Sequence, residues 1–211
     1  MNARESILRN VRTALRDAPA APVPERSYRF SSGKSSEELH EQLVDRLVDY
    51  KANVFNASSE EDVVRIVGER LTLATRVVVP EGLNPAYTDG LNAEVHRDSR
   101  EHGLGIEQLD AMSAVVTESA AACAETGTIV LDGSEDQGRR AITLVPDHHV
   151  CIVRMENVRG LLPETLATLD HRRPLTWISG PSATSDIELE RVEGVHGPRT
   201  LDVVLVSSPG A

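Results

Sequence analysis

Apolar positions along the 211-residue chain change period several times, and each change predicts an element. In residues 2–17, Ile7, Leu8, Val11 and Leu15 recur at helical spacing, and Asn2 with Glu5 has capping-box spacing. That predicts a short amphipathic helix with a narrow apolar stripe. Such a helix has to bury its stripe, either by folding back on its own domain or by docking on a partner chain. Residues 18–35 hold Pro19, Pro22 and Pro24 followed by SYRFSSGKS, without any period, and read as a Pro-rich linker.

A single α/β domain is expected over residues 36–211. Ser35 and Glu38 form a capping box ahead of Leu39, Leu43, Leu47 and Val48 at helical spacing. Residues 53–57 read as a short strand. Ser58 with Glu61 repeats the capping signature before Val63, Ile66, Val67 and Leu71, and residues 75–80 read as a strand buried on both faces. This β-α-β order, with crossovers long enough for a helix, implies parallel pairing and right-handed connections. Further strands are expected at 113–117, 128–132, 149–154, 175–179 and 202–206, with a helix around 163–169 whose Pro163 sits near the first turn. Residues 91–110 alternate weakly around two glycines and read as short strands. The alternation of elements predicts an α/β fold with a mostly parallel sheet covered on both faces.

Composition narrows the function classes. Hydrophobic residues make up 40% and charged residues 26%, which is ordinary globular usage. Only six residues are aromatic, so the core has to be aliphatic. The formal net charge of -11 opposes phosphate backbones and anionic lipid, arguing against nucleic-acid or membrane-surface binding. Two cysteines, Cys123 and Cys151, are too few for an iron–sulfur cluster or a four-cysteine zinc site, so neither a metal nor a cofactor is expected. No apolar run approaches the ~20 residues of a membrane span. The charged start MNARESILRNVR lacks a signal peptide's apolar middle, which predicts a cytoplasmic protein.

Ligands of open α/β sheets collect beyond the carboxyl ends of strands, and three segments have the composition for such a place. In the first, Ala120–Thr128, Glu125 is the only charge in a small and apolar stretch, followed by Thr126, Gly127 and Thr128. It is either desolvated with a raised pKa, as an acid, base or nucleophile, or capped by loop amides. In the second, Gly180-Pro181-Ser182 follows a strand, and Ser182 together with Ser185 and Glu188 signals a helix start. Free N–H groups there, with the Ser182 and Thr184 hydroxyls, suit a small carboxylate, and Asp186 and Glu188 make a highly charged phosphate less comfortable. The alternative is a well-capped helix and nothing more. In the third, His196 lies between Gly194-Val195 and Gly197, either a proton carrier beside a cleft or part of a tight turn. His148 and His149 are adjacent on a strand entry and point to opposite faces, which defeats a shared metal. Arg139 and Arg140 read as a carboxylate anchor or as an exposed basic pair, with Arg140 kept as the ligand-binding candidate. GxSxG, HExxH, CxxC and the P-loop lysine are all missing.

AETGTIVLDG at 124–133, RRAITLVPDHHVCIV at 139–153, SGPSATSDIE at 179–188 and GVHGP at 194–198 followed by DVVLV together resemble the LUD (lactate-utilization) domain. The resemblance covers roughly residues 110–206 by motif and the N-terminal half by its pattern of elements. It implies a three-layer, Rossmann-like α/β fold of the NagB/RpiA/CoA-transferase-like group. It also implies service in the oxidation of L-lactate to pyruvate, together with iron–sulfur partner proteins. This chain lacks their cysteine modules and is similar to the cluster-free member of that three-protein system. Coenzyme A transferases of this fold use the glutamate of a Glu-Asn-Gly turn as nucleophile, and Glu125-Thr126-Gly127 is similar in shape with threonine in the middle. An alternative function is therefore a stand-alone enzyme on a small carboxylate or acyl-CoA, with Glu125 as base or nucleophile and the Ser182 helix end as anion site; His196 is the second catalytic candidate.

Overall fold

The computed structural model describes residues 2–17, 22–185, 191–193 and 197–207, with the backbone alone at 183–185 and 191–193. In chain order the elements are α1 (Ala3–Ala14), α2 (Ser36–Asp49), β1 (Asn53–Ala57), α3 (Glu60–Arg70), β2 (Arg76–Pro80), β3 (Glu94–Asp98), α4 (Ile106–Asp110), β4 (Ala114–Thr117), β5 (Ala121–Cys123) and β6 (Thr128–Leu131). Then come β7 (His148–Arg154), β8 (Val158–Arg159), α5 (Leu162–Thr168), β9 (Thr176–Ile178), β10 (Ala183–Ser185), β11 (Arg191–Glu193) and β12 (Thr200–Val206). Six strands pair in parallel in the order β1-β12-β7-β4-β2-β3. A second sheet, β8-β5-β6-β9, is mixed, with antiparallel pairing on both sides of β6.

The period-two alternation of the long strands decides what lies on each face. Val77, Val79, Ala114, Val116, Val150, Ile152 and Val204 meet Val63, Ile66, Val67 and Leu71, so α3 covers one face. Cys151, Val153, Leu201, Val203 and Leu205 meet Leu43 and Leu47 of α2 and Ala122, Ile129 and Leu131 of the second sheet. Val78 and Val115 on the same face are covered by Leu109, Met112 and Ile142. Three layers result, one outer layer being a helix and the other a helix joined to a small sheet. Nearly all the buried hydrophobics are aliphatic, and Tyr87 is the one buried aromatic among the described residues.

Several sequence expectations shift. The cap of α3 is Ser59, not Ser58: its side chain accepts from the Asp62 amide at 3.2 Å, while Ser58 donates to the Asp62 carboxylate. Residues 91–110 split into strand β3 and helix α4, because the Gln108 side chain accepts from the Gly105 amide at 2.9 Å and closes a helical turn. The helix expected from Ser182 is absent. Residues 183–185 instead form β10, paired antiparallel with β11, and the Ser182 amide donates to the Pro198 carbonyl at 2.8 Å. The two-residue β8 and the alanine-rich β5 carry too little pattern to read.

Asp202, fully buried at the amino end of β12, ties this end of the sheet together. It accepts from Asn53 of β1 at 2.7 Å, from Arg70 of α3 at 2.8 Å, and is bonded to His148 of β7 at 2.8 Å. Burial pulls its pKa up, but the bonds from His148, Arg70 and Asn53 outweigh burial and hold it below the ordinary value. Asp202→Ala should therefore cost about 2–4 kcal/mol, since it strands three donors. A lower urea midpoint at unchanged slope would show it. Because the folded pKa is depressed, the contribution is present above pH 3.8 and is lost as pH falls below that value, so the variant's acid profile should be flatter.

Candidate functional site

A cavity of about 210 Å³ opens where the loops after β9 and before β12 meet the entry to β7. Its wall includes Arg140, Thr143, His149, Trp177, Ser179, Gly180, Ser182 and Gly197. His149 and Leu201 are the second residues of β7 and β12, so the cavity sits at the amino ends of these parallel strands. This cavity differs in place from the carboxyl-end location expected from sequence, because the second sheet and its loops wrap round the face opposite α3 and close over the amino end.

Arg139 positions the segment that carries Arg140. Its guanidinium grips the fully buried Asp98 carboxylate through Nε at 2.7 Å and Nη2 at 2.6 Å, and Nη2 also reaches the Leu104 carbonyl. The adjacent arginines thus divide the two readings of the pair, one a clamp and the other exposed at the cavity. Arg140 donates to Thr143 Oγ1 at 3.3 Å.

The far side depends on two glycines. Gly127 and Gly180 have φ of +59° and +93°, and a Cβ at either would stand 2.6 Å from the Cβ of Arg46 or Tyr50. The β5–β6 turn and the loop after β9 therefore both press against the C-terminal end of α2 with bare backbone. Between them, Thr128 Oγ1 bonds the Ser179 hydroxyl at 2.8 Å and the Thr126 hydroxyl at 2.8 Å. This chain links the Glu-Thr-Gly-Thr turn to the cavity wall.

Glu125 itself lies elsewhere. It caps the β5–β6 turn with 39% of its side chain exposed, and its carboxylate accepts from Arg29 at 2.5 Å. The desolvated setting considered from sequence is not found, and capping comes from a linker guanidinium. Glu125 does not line the cavity that holds Arg140, Gly180 and Ser182. Thr184 is placed by its backbone on β10, and Asp186 and His196 lie outside the described residues. Ser182 stands at the start of a hairpin, so its helix-end reading is corrected while its place in the cavity wall stands.

His149, considered from sequence only as half of a metal pair with His148, joins the cavity wall. It is buried on β7, and its Nε2 is hydrogen-bonded to Thr117 Oγ1 at 2.8 Å, with Thr117 also reaching Cys151 Sγ at 3.9 Å. Burial, then the neighbouring His148 and Arg140 charges, press its pKa from 6.5 down to about 3, so the imidazole is neutral. Its signal was only the face opposite to His148, and which face would be sealed depends on the second sheet. Among the described residues no cluster of three or more His, Cys, Asp and Glu is placed to hold a metal ion.

The chain is thus a three-layer α/β domain with a polar, arginine-flanked cavity at one loop end of its parallel sheet. The LUD domain family model matches residues 40–206, and the chain belongs to this family. Lactate utilization protein C of Deinococcus radiodurans is 44% identical over 192 residues, spanning 89% of this chain and 85% of that protein. Lactate utilization protein C of Bacillus subtilis is 26% identical, spanning 97% and 96%. The crystal structure of a DUF162 family protein from Deinococcus radiodurans superposes with a TM-score of 0.69 at 38% identity, covering 82% of this chain and 99% of that one.

Because the native state holds His149 neutral, the unfolded chain binds the extra proton between pH 6.5 and about 3. Stability should fall as pH drops through that window, by at most about 1.4 kcal/mol per unit. Melting curves of His149→Gln should show a flatter dependence there than the wild type, and equal slopes would contradict the assignment.

Proposed function

We propose that this protein serves L-lactate utilization as a subunit that works with iron–sulfur partner proteins in oxidising L-lactate to pyruvate, in the cytoplasm. The relationship to proteins named lactate utilization protein C, at 44% identity over most of both chains, carries the reading. Two features of the molecule support it. Both thiols are sealed inside: Cys123 lies in β5, and burial pushes the Cys151 thiol up to about 12, so Cys151 offers no thiolate at neutral pH. Electrons in such a reaction are then carried by other chains. In α1, the Asn2–Glu5 capping box forms and no residue is buried, with Ile7, Leu8, Val11 and Leu15 all facing out. Among the described residues nothing buries the helix stripe, which supports docking on a partner. No helix among the described residues is long and apolar enough to cross a membrane.

The tagged full-length chain, purified from cells grown on L-lactate, should bring iron–sulfur proteins with it. Removal of residues 1–17 should weaken that association while leaving the melting temperature of the domain unchanged. Deleting the gene should abolish growth on L-lactate as carbon source. Intact growth, or a chain that purifies alone from lactate-grown cells, would remove the reading's support.

A further inference from the structure

We infer that the cavity at the amino ends of β7 and β12 binds a small 2-hydroxy- or 2-oxo-monocarboxylate, with Arg140 as its charged anchor. The first argument is charge. The chain carries -11, yet the described residues lining this cavity include no carboxylate. Nearby arginines are committed: Arg139 to Asp98, Arg173 to Asp132, and Arg199 to Asp147. Arg140 has only the Thr143 hydroxyl and its own backbone neighbours among the described residues, leaving the guanidinium fork without an anion. A bidentate arginine–carboxylate pair is the contact such a fork favours.

The second argument is selectivity. His149 stands in the wall as a neutral imidazole, so the described lining offers the one positive charge of Arg140. One carboxylate is matched, whereas a dicarboxylate or a phosphate dianion would bring in a charge with no counterpart.

The third argument is size and lining. At ~30 Å³ per water, about 210 Å³ has room for some seven waters, which suits an acid of three to five carbons. The Ser179 hydroxyl, shared with Thr128 Oγ1, can donate or accept, and Thr143 Oγ1, which donates to the Arg140 carbonyl, keeps lone pairs to accept. The wall can thus meet an adjacent hydroxyl or, through Ser179, a keto oxygen. Leu201, Ile178 and Pro198 supply apolar wall for the carbon chain.

Trp177, the chain's one tryptophan, lines the same cavity, so its fluorescence reports occupancy directly. L-lactate, pyruvate, propionate and inorganic phosphate are titrated into the purified full-length protein, with calorimetry in parallel. Saturable change with L-lactate or pyruvate is expected, with propionate weaker because it lacks the 2-oxygen. Arg140→Gln should lower the affinity by about 10- to 100-fold, the worth of one charged hydrogen-bond pair. Exposed Arg172→Gln should leave it unchanged, and both variants should melt with the wild type. No saturable binding by either method, or undiminished binding by Arg140→Gln, overturns the site. Phosphate binding as tightly as the acids overturns the carboxylate assignment, and propionate binding equally overturns the role of the hydroxyls. The choice of L-lactate and pyruvate as probes rests on the proposed function. A chain that binds neither acid but co-purifies with iron–sulfur proteins would overturn the site alone.

Discussion

A parallel sheet whose strands are apolar on both faces must be covered on both faces, and the two covers here are of different kinds. α3 lies over one face by the usual right-handed crossover, burying Val63, Ile66 and Val67 against the valines of β2, β4, β7 and β12. The other face is sealed by α2 together with the small mixed sheet, which meets it through Leu43, Leu47, Ile129 and Leu131. The cavity lies at a seam between the small sheet and the main one, where the loops of the small sheet reach the amino ends of β7 and β12.

The seam is held open by polar anchors on either side of it. Asp98 clamps Arg139 and leaves the next residue, Arg140, exposed. Gly127 and Gly180 let two turns lie against α2 where a side chain would collide, and the Thr128–Ser179 bond joins those turns. Asp202 locks β1, β7 and α3 beneath. Rigid surroundings of this sort keep a small cavity shaped in the absence of a ligand.

The linker has a firmer place than its composition implies. Arg29 pairs with Glu125, and the Ser32 amide donates to Glu164 at 3.0 Å, so the segment is strapped across the β5–β6 turn and the start of α5. The strap fixes the point from which α1 departs with its apolar stripe exposed. The chain therefore presents two separate surfaces, a polar cavity and an exposed apolar helix stripe.

Local pattern was enough for the elements whose residues carry their own instructions. The capping boxes at Asn2–Glu5 and Ser35–Glu38 form as spaced, and the valine-rich runs become the buried parallel strands. Arg140, Gly180 and Ser182, singled out in the sequence by residue type and position, are brought to one wall by the fold. What sequence spacing could not decide was everything set by contact across the chain. Three-residue strands such as β5 and β10 exist only because a partner strand supplies their hydrogen bonds, so a helix read at Ser182 became a hairpin. Glu125 is unremarkable until Arg29, 96 residues away, reaches it. His149 looks like its neighbour His148 until the second sheet seals one face and leaves the other to Asp202. Desolvation belongs to the assembled layers and not to any residue, and so the chemistry of the cavity was decided by tertiary structure alone.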